Sequence, residues 1–457
     1  MVVLVDTSPR AQDFFRDSSY RPSEFQDENL NWILFRPYIL SDTFDVHFKR
    51  VLARGSTDLR ALCNSVEWLN AGRPTMKAHS SISDSTLVFK LQGGQGVPTL
   101  LVDKVAIMLA RIGAQIYPGK HYAAEMVADN MATLLDASLD RESCLTAFVS
   151  EPALARAAGR IWQNHTKLED TFIPALREAV MLGAIDKGRG RELVAQIIIL
   201  LAFHKVCTYL VKGIGEVVPL RLVITELLPD ELDEAAVDDV LDKCIPVALK
   251  DSVLSCVQFV NLCGPLQHDD ILHLAERHNG GVLSAGQPGL DLYLPILHSE
   301  LAAVVIQVKA CATLTDSNYP RSAGVKLRPS VAFKDSPLAG EIDLEALDTN
   351  AVRIYMQVGV IKPSVKYRCN EVKKDLVAGG ALPSFPLQIF GVSSRCLSPS
   401  LRASLSGLLQ DNIDWETFIR RESYLETHTT PARTAGPNPR SLDKKRSSWP
   451  FVIRPVP

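Results

Sequence analysis

The stretch LVAQIIILLAF, Leu193 to Phe203, leaves a folding chain few options. A helix over it is apolar on most of its circumference, so it belongs at the centre of a packed core. The run is too short to span a bilayer and charged residues flank it. Gly188 and Gly190 suit the turn before it, and Gly213 and Gly215 suit its end. The neighbouring sequence predicts more helices: LVDKVAIMLARIGA within residues 101–135, EPALARAAGRIWQNH from Glu151, and FIPALREAVMLGAID. Pro152 fits the first turn of the second of these. The acidic PDELDEAAVDDVLD, Pro229 to Asp242, predicts another helix with its carboxylates outward. Residues 101–250 therefore read as a mainly helical domain. A mixed region, 1–100, precedes it, in which Leu30 to Leu40 and Thr86 to Leu91 read as buried strands or short helices.

From about 255 the texture changes. Helical sequence over Asp269 to His278 gives way to short apolar runs: GVLSA, LDLYLPIL, AAVVIQVKA, VRIYMQV and LQIFGVSS. A helix followed by several strands is an α/β pattern. We assign residues 251–425 to an α/β domain, closed by one or two helices within 400–425. The tail 426–457 is rich in Thr, Pro, Arg and Ser and reads as disordered.

Two or three domains suit 457 residues, and a 46 % apolar content allows several cores. The net charge is −3, so nucleic-acid contact would have to come from a local basic patch. The nine cysteines include no CxxC pair, and Cys256 and Cys263 lack zinc-finger spacing and read as core thiols. A reducing compartment fits this usage. The N-terminus has no basic start followed by an apolar core, so a soluble intracellular protein is expected. Lys444, Lys445 and Arg446 read as a solvated basic run, with nuclear import as the alternative. The glycine-rich LQGGQGVP, Leu91 to Pro98, lacks the lysine and hydroxyl of a phosphate loop and reads as a turn. His268, His273 and His278 recur every five residues, which does not stack two ligands on one helix face, and read as surface residues.

The informative stretch is GQPGLDLYLPILHSELAAVVIQVKA, Gly286 to Ala310. Gly286, Pro288 and Gly289 make a turn, and Asp291 begins a strand of largely apolar residues. After a break at His298 to Glu300, a second strand stays apolar until Gln307 and Lys309. Side chains alternate faces along a strand, so Gln307 and Lys309 point one way and Val308 the other. A hairpin brings Asp291 to the same end of the sheet. Phosphodiester hydrolysis uses such a set. A carboxylate and a second oxygen ligand hold Mg²⁺, a hard cation that keeps several waters. A lysine beside them orients the attacking water, lowers its pKa or stabilises developing negative charge. Gln307 offers a neutral amide oxygen where a carboxylate would bind metal more tightly.

Asp, then Asp/Glu/Gln-x-Lys on the next strand, resembles the signature of PD-(D/E)XK nucleases. The phrases QPGLDLYLPI and IQVK are similar to the nuclease-like domains of Crinkler-type proteins of fungi and oomycetes. SEPALARAAGRI and GRGRELVAQIIILLA resemble the segment that precedes that domain in many basidiomycete members, so the resemblance spans roughly 150–395. It implies a PD-(D/E)XK-like mixed sheet and Mg²⁺-dependent cleavage of nucleic acid, DNA before RNA. Asp291 takes the place of the metal-binding aspartate, Gln307 of the second ligand and Lys309 of the catalytic lysine. Many such enzymes add an acidic residue on the first helix. Glu276 is the candidate, with Asp269 and Asp270 behind it. Many Crinkler-type proteins also carry an NTPase, but no Walker lysine is recognisable here and no ATPase activity is transferred. The alternative to an enzyme is an inactive nuclease-like domain that binds nucleic acid or a protein partner.

Overall fold

A computed structural model describes residues 68–69 and 84–409, apart from 95, 115, 117–120, 138–143, 186–189, 263, 285–286, 288, 311–326, 359–363 and 368–385. Leu30 to Leu40, Cys263, the glycine and proline of the turn at 286 and 288, the tail from 426 and the basic run Lys444 to Arg446 lie outside the described residues.

The first half is built mainly of helices: α1 Asp84–Leu91, α2 Leu101–Ile112, α3 His121–Asp129, α4 Pro152–Trp162, α5 Ile173–Met181 and α6 Gly190–Tyr209. Thr86 to Leu91, open between strand and helix in the sequence, is helical within α1. The glycines of LQGGQGVP form the turn after α1, with Gly93, Gly94 and Gly96 all at positive φ. The helix expected over 101–135 is broken at Gly113, the left-handed cap of α2 with φ +60°. A Cβ there would collide with the carbonyl oxygen of Phe259, so close approach as well as backbone geometry selects glycine. Beyond α3 the chain forms a hairpin, β1 Thr133–Ala137 with β2 Cys144–Ala147, which the sequence reading did not anticipate.

Leu193 to Phe203 is buried along its whole length inside α6. The full helix is long and apolar enough by composition to cross a membrane, yet 78 % of its most apolar window is buried within the fold. Two short helices follow, α7 Leu220–Leu227 and α8 Glu234–Cys244. Asp233 caps α8 by accepting from the Ala236 N–H at 2.7 Å, which moves the helix start inside the expected Pro229 to Asp242.

One nine-stranded mixed sheet organises the rest, made of β3 Val218–Pro219, β4 Val253–Leu254, β5 Gln258–Asn261, β6 Asn279–Val282, β7 Leu292–Leu297, β8 Ala302–Ala310, β9 Ala351–Val358, β10 Ser364–Tyr367 and β11 Leu387–Phe390. Seven of them run in the order β10-β11-β9-β8-β7-β4-β3, and β5 joins through β6, which pairs β7. β7 and β8 form the expected antiparallel hairpin, whereas β8, β9 and β11 are mutually parallel. On its other edge β7 pairs β6 through Leu292 and Tyr293 and β4 through Ile296 and Leu297. Pro295, which has no N–H to give a ladder, falls where that partner changes. The helix α9 His268–Glu276 precedes β6, and the short helices α10 Pro329–Ala332 and α11 Leu344–Thr349 precede β9.

The central strands are apolar on both faces because both faces are covered. Leu292, Leu294, Val304, Ile306, Val352 and Ile354 face α6 and join the main core. Tyr293, Val305, Ala351 and Tyr355 face the other way and pack with Ile271 and Leu274 of α9 and with Phe333, Leu338 and Leu347. A helix over residues 399–409 closes the α6 side through Leu401, Leu405 and Leu408. The stretches 101–250 and 251–425, distinct in sequence texture, therefore share one apolar core, and β3 comes from the first of them.

Candidate functional site

On the face opposite α6, Tyr293, Ala303 and Val305 and the buried Arg353 of β9 give way toward the carboxyl ends of the strands to Gln307, Lys309 and Gln357. Asp291 sits just ahead of β7, where its N–H donates to Ile306 O at 2.9 Å. Its carboxylate Oδ2 accepts from the Val308 N–H at 2.6 Å. That bond takes over a ladder position that β7 is too short to fill. It also places the carboxylate beside the one peptide unit of β8 flanked by Gln307 and Lys309. The register Leu292↔Ile306 sets Asp291 level with Gln307, and Lys309 lies two residues, about 7 Å, further along β8. Oδ1 has no partner among the described residues.

Gln307 and Lys309 share the face of Val305, as the alternation predicts, while Val308 enters the core against α6. Gln307 is 7 % exposed and Lys309 is partly buried. The parallel register pairs Gln307 with Tyr355 and Lys309 with Gln357 of β9, and Tyr355 in turn with Gln388 of β11. Gln357 is 5 % exposed and Gln388 is fully buried with neither amide atom hydrogen-bonded. The side chains of Gln307, Lys309 and Gln357 also lack a hydrogen-bond partner among the described residues. The polar band thus runs across four strands, further than the hairpin alone suggested. Glutamines near the ends of the apolar runs VRIYMQV and LQIF were the available sequence signal.

The location follows a topological rule. The carboxyl ends of the parallel strands β8, β9 and β11 gather at the edge that holds Asp291 and Lys309. In open α/β sheets, ligands bind outside the carboxyl ends of the parallel strands.

Glu276 does not join the set. It follows Ala275, which packs with Leu272 against Leu297, the far end of β7 from Asp291. The strand between those ends spans roughly 17–20 Å. A helix running toward the wrong end of the hairpin brings its last acid to the wrong edge, which spacing along the sequence could not reveal. Asp270 is engaged in capping α9, its Oδ2 accepting from the Gln267 N–H at 2.9 Å. Burial pushes its carboxyl above the ordinary range.

The other candidate groups are structural. His278, expected at the surface, is buried and stacked on Trp68 at 4.5 Å, with Nδ1 2.6 Å from Gly215 O. The thiols of Cys207, Cys244, Cys256 and Cys396 are free and buried. Burial pushes Cys207 up to about 11 and Cys244 and Cys256 up to about 12, which removes them as nucleophiles.

The profile of a family described as a domain of unknown function, DUF8736, matches residues 100–375, more than half of the chain. The chain belongs to this family. No curated protein and no solved structure matches it. The matched span runs from the helices through Asp291, Gln307, Lys309 and Gln357, so this DUF8736 member carries its central polar groups inside the family region. β11, with Gln388, and the closing helix fall beyond the matched span although they complete the sheet and its core.

Among the described residues no group of three or more His, Cys, Asp or Glu could hold a metal. The oxygen donors at the polar edge are one carboxylate and the Gln307 amide. Mg²⁺ is commonly held by one or two carboxylates together with water and substrate phosphate oxygens. Asp291 Oδ1 and Gln307 Oε1 fit that sparse pattern and not a dedicated all-protein cage.

A second polar cluster lies deep under the helices. Arg111, at the end of α2, is fully buried and donates from Nε to Val257 O at 2.9 Å and from Nη1 to His204 Nε2. Its guanidinium lies 4.8 Å above the Trp162 ring. Burial draws the Arg111 pKa down to about 9, and the group remains a cation at neutral pH. Burial and then the nearby Arg111 charge hold His204 well below the ordinary imidazole value, so it stays neutral and accepts the arginine's bond.

Proposed function

We propose that this protein is a metal-dependent phosphodiesterase of PD-(D/E)XK type that acts on nucleic acid, DNA before RNA. The observation that carries the reading is the Asp291–Val308 hydrogen bond, which seats a carboxylate between Gln307 and Lys309 at the carboxyl edge of the parallel strands. Asp291 Oδ1 and Gln307 Oε1 would hold Mg²⁺. Bound there, the cation neutralises phosphate charge and makes a coordinated water more acidic. The Lys309 ammonium would face the non-bridging phosphate oxygens and stabilise the negative charge that develops on them. The packed face beneath them, Tyr293 and Val305, fixes these side chains on rigid strands.

One observation favours a second reading, an inactive nuclease-like domain that binds nucleic acid or a protein. The edge offers a single carboxylate and a neutral amide, so its hold on a divalent ion is weak. The two readings separate on purified protein assayed with and without Mg²⁺ on plasmid and single-stranded DNA. In the enzyme reading Lys309→Ala lowers the cleavage rate about 10²–10³-fold, the typical loss for one preorganised contact to developing charge. Gln307→Glu keeps or raises the rate and lowers the Mg²⁺ concentration needed. Equal cleavage by wild type and Lys309→Ala identifies a contaminant. Binding of DNA without cleavage by any variant selects the inactive domain.

A further inference from the structure

We propose that Arg111 binds a halide ion, chloride in ordinary solution, in the interior of the protein, through the free Nη2 of its guanidinium. The inference is independent of the hydrolytic reading and concerns the cluster where α2, α4 and α6 meet. Arg111 is 0 % exposed. Its Nε donates to Val257 O at 2.9 Å and its Nη1 to His204 Nε2, while Nη2 has no partner. His204 is 4 % exposed. Its Nε2 accepts, so the ring proton sits on Nδ1, and that donor is unpartnered too.

The cluster holds a cation without a counter-charge. A cation taken out of water is costly unless an opposite charge accompanies it. Among the described residues no carboxylate pairs with Arg111, and the groups that act on its charge are the thiols of Cys256 and Cys207. Burial pushes those thiols up to about 12 and about 11, so neither supplies a thiolate at neutral pH. The Trp162 ring, 4.8 Å away, attracts the cation through its face but carries no net charge. A water molecule on Nη2 would satisfy the hydrogen bond and leave the charge unbalanced. A monovalent anion does both. Packing selects its size. A Cβ on Gly159 of α4 would stand only 3.3 Å from both Arg111 Nη1 and His204 Nε2. A polyatomic anion such as phosphate needs a cavity that close packing does not leave. A halide needs little more than the space of the single water molecules that cores routinely hold.

The probe is the halide itself. Thermal melts of wild type and Arg111→Met are compared in sodium chloride and in sodium gluconate at equal ionic strength, gluconate being too large to enter the core. The expected result for wild type is a melting temperature about 2–4 °C higher in chloride. Arg111→Met, which keeps an unbranched side chain and removes the charge, shows no difference between the salts. Equal shifts in both proteins reveal a general salt effect at the surface and overturn the inference, as does the absence of a shift in wild type. A second measurement needs no variant, and it decides the matter if Arg111→Met does not fold. Wild-type crystals soaked in sodium bromide should show an anomalous difference peak beside Arg111 Nη2. A water molecule at that position, or no peak, overturns the inference.

Discussion

Two buried polar clusters in this protein are built on opposite plans. Around Arg111 the groups bond to one another: a guanidinium meets a carbonyl, a neutral imidazole and an aromatic face. At the sheet edge, Gln307, Lys309, Gln357 and Gln388 lie on neighbouring strands and make no such bonds among the described residues, Gln388 being fully buried with both amide atoms unsatisfied. A buried polar group costs stability unless it is satisfied. The first cluster meets that requirement in part, leaving Arg111 Nη2 and His204 Nδ1 without a partner, and ties the helices to Val257 below them. The second does not, and it occupies the place where α/β sheets bind ligands. Cross-linking of distant helices marks the architectural cluster, and a place at the carboxyl edge of parallel strands marks the one suited to act on something else.

The sharpest way to break this contrast is Arg111→Ala. It removes the donor to Val257 O and His204 and opens a cavity beside Trp162, so unfolding by denaturant should show a loss of about 3–5 kcal/mol. A loss below about 1 kcal/mol would show that the cluster is not architectural. Gln388→Leu tests the other plan from the stability side. Its amide atoms have no partners at a fully buried position, so an apolar replacement of similar size should leave stability unchanged or raise it by about 1–2 kcal/mol. A clear loss would mean that the amide is satisfied in solution.

The third prediction is a pH dependence. The His204 pKa lies well below its unfolded value of 6.5, so below that pH the unfolded chain takes up a proton that the native protein refuses. This contribution is fully present above 6.5 and is lost as pH falls toward the depressed native value. Its slope can reach about 1.4 kcal/mol per pH unit. His204→Gln keeps an acceptor for Arg111 and removes the titration, so urea unfolding between about pH 7 and about pH 5 should show a flatter curve than wild type. The smallest effect is expected for Lys309→Ala. The ammonium has no partner to lose among the described residues, and stability should change by less than about 0.5 kcal/mol, even where the cleavage rate falls steeply.

The sequence by itself determined a good deal of this arrangement. Leu193 to Phe203 is apolar on most of its circumference, and a central helix buries such a segment. The runs LDLYLPIL and AAVVIQVKA, joined by a short polar break, carry a strand alternation that places Gln307 and Lys309 on one face. Those are local properties, set by side-chain period and chain connectivity, and they sufficed for the hairpin and for the Asp291, Gln307 and Lys309 grouping. Tertiary structure alone decided which distant pieces stand beside that grouping. The parallel register of β8 with β9 sets Gln357 next to Lys309, with more than forty residues of chain between them. Packing of Ala275 and Leu272 on Leu297 sends Glu276 to the opposite edge. Arg111 and His204 meet because α2 and α6 pack in one core, 93 positions apart in the chain. Periodicity fixes the face on which a residue lies, but it says nothing of the neighbour across a ladder or a helix interface. That choice belongs to long-range packing, whose free energy depends on the whole core.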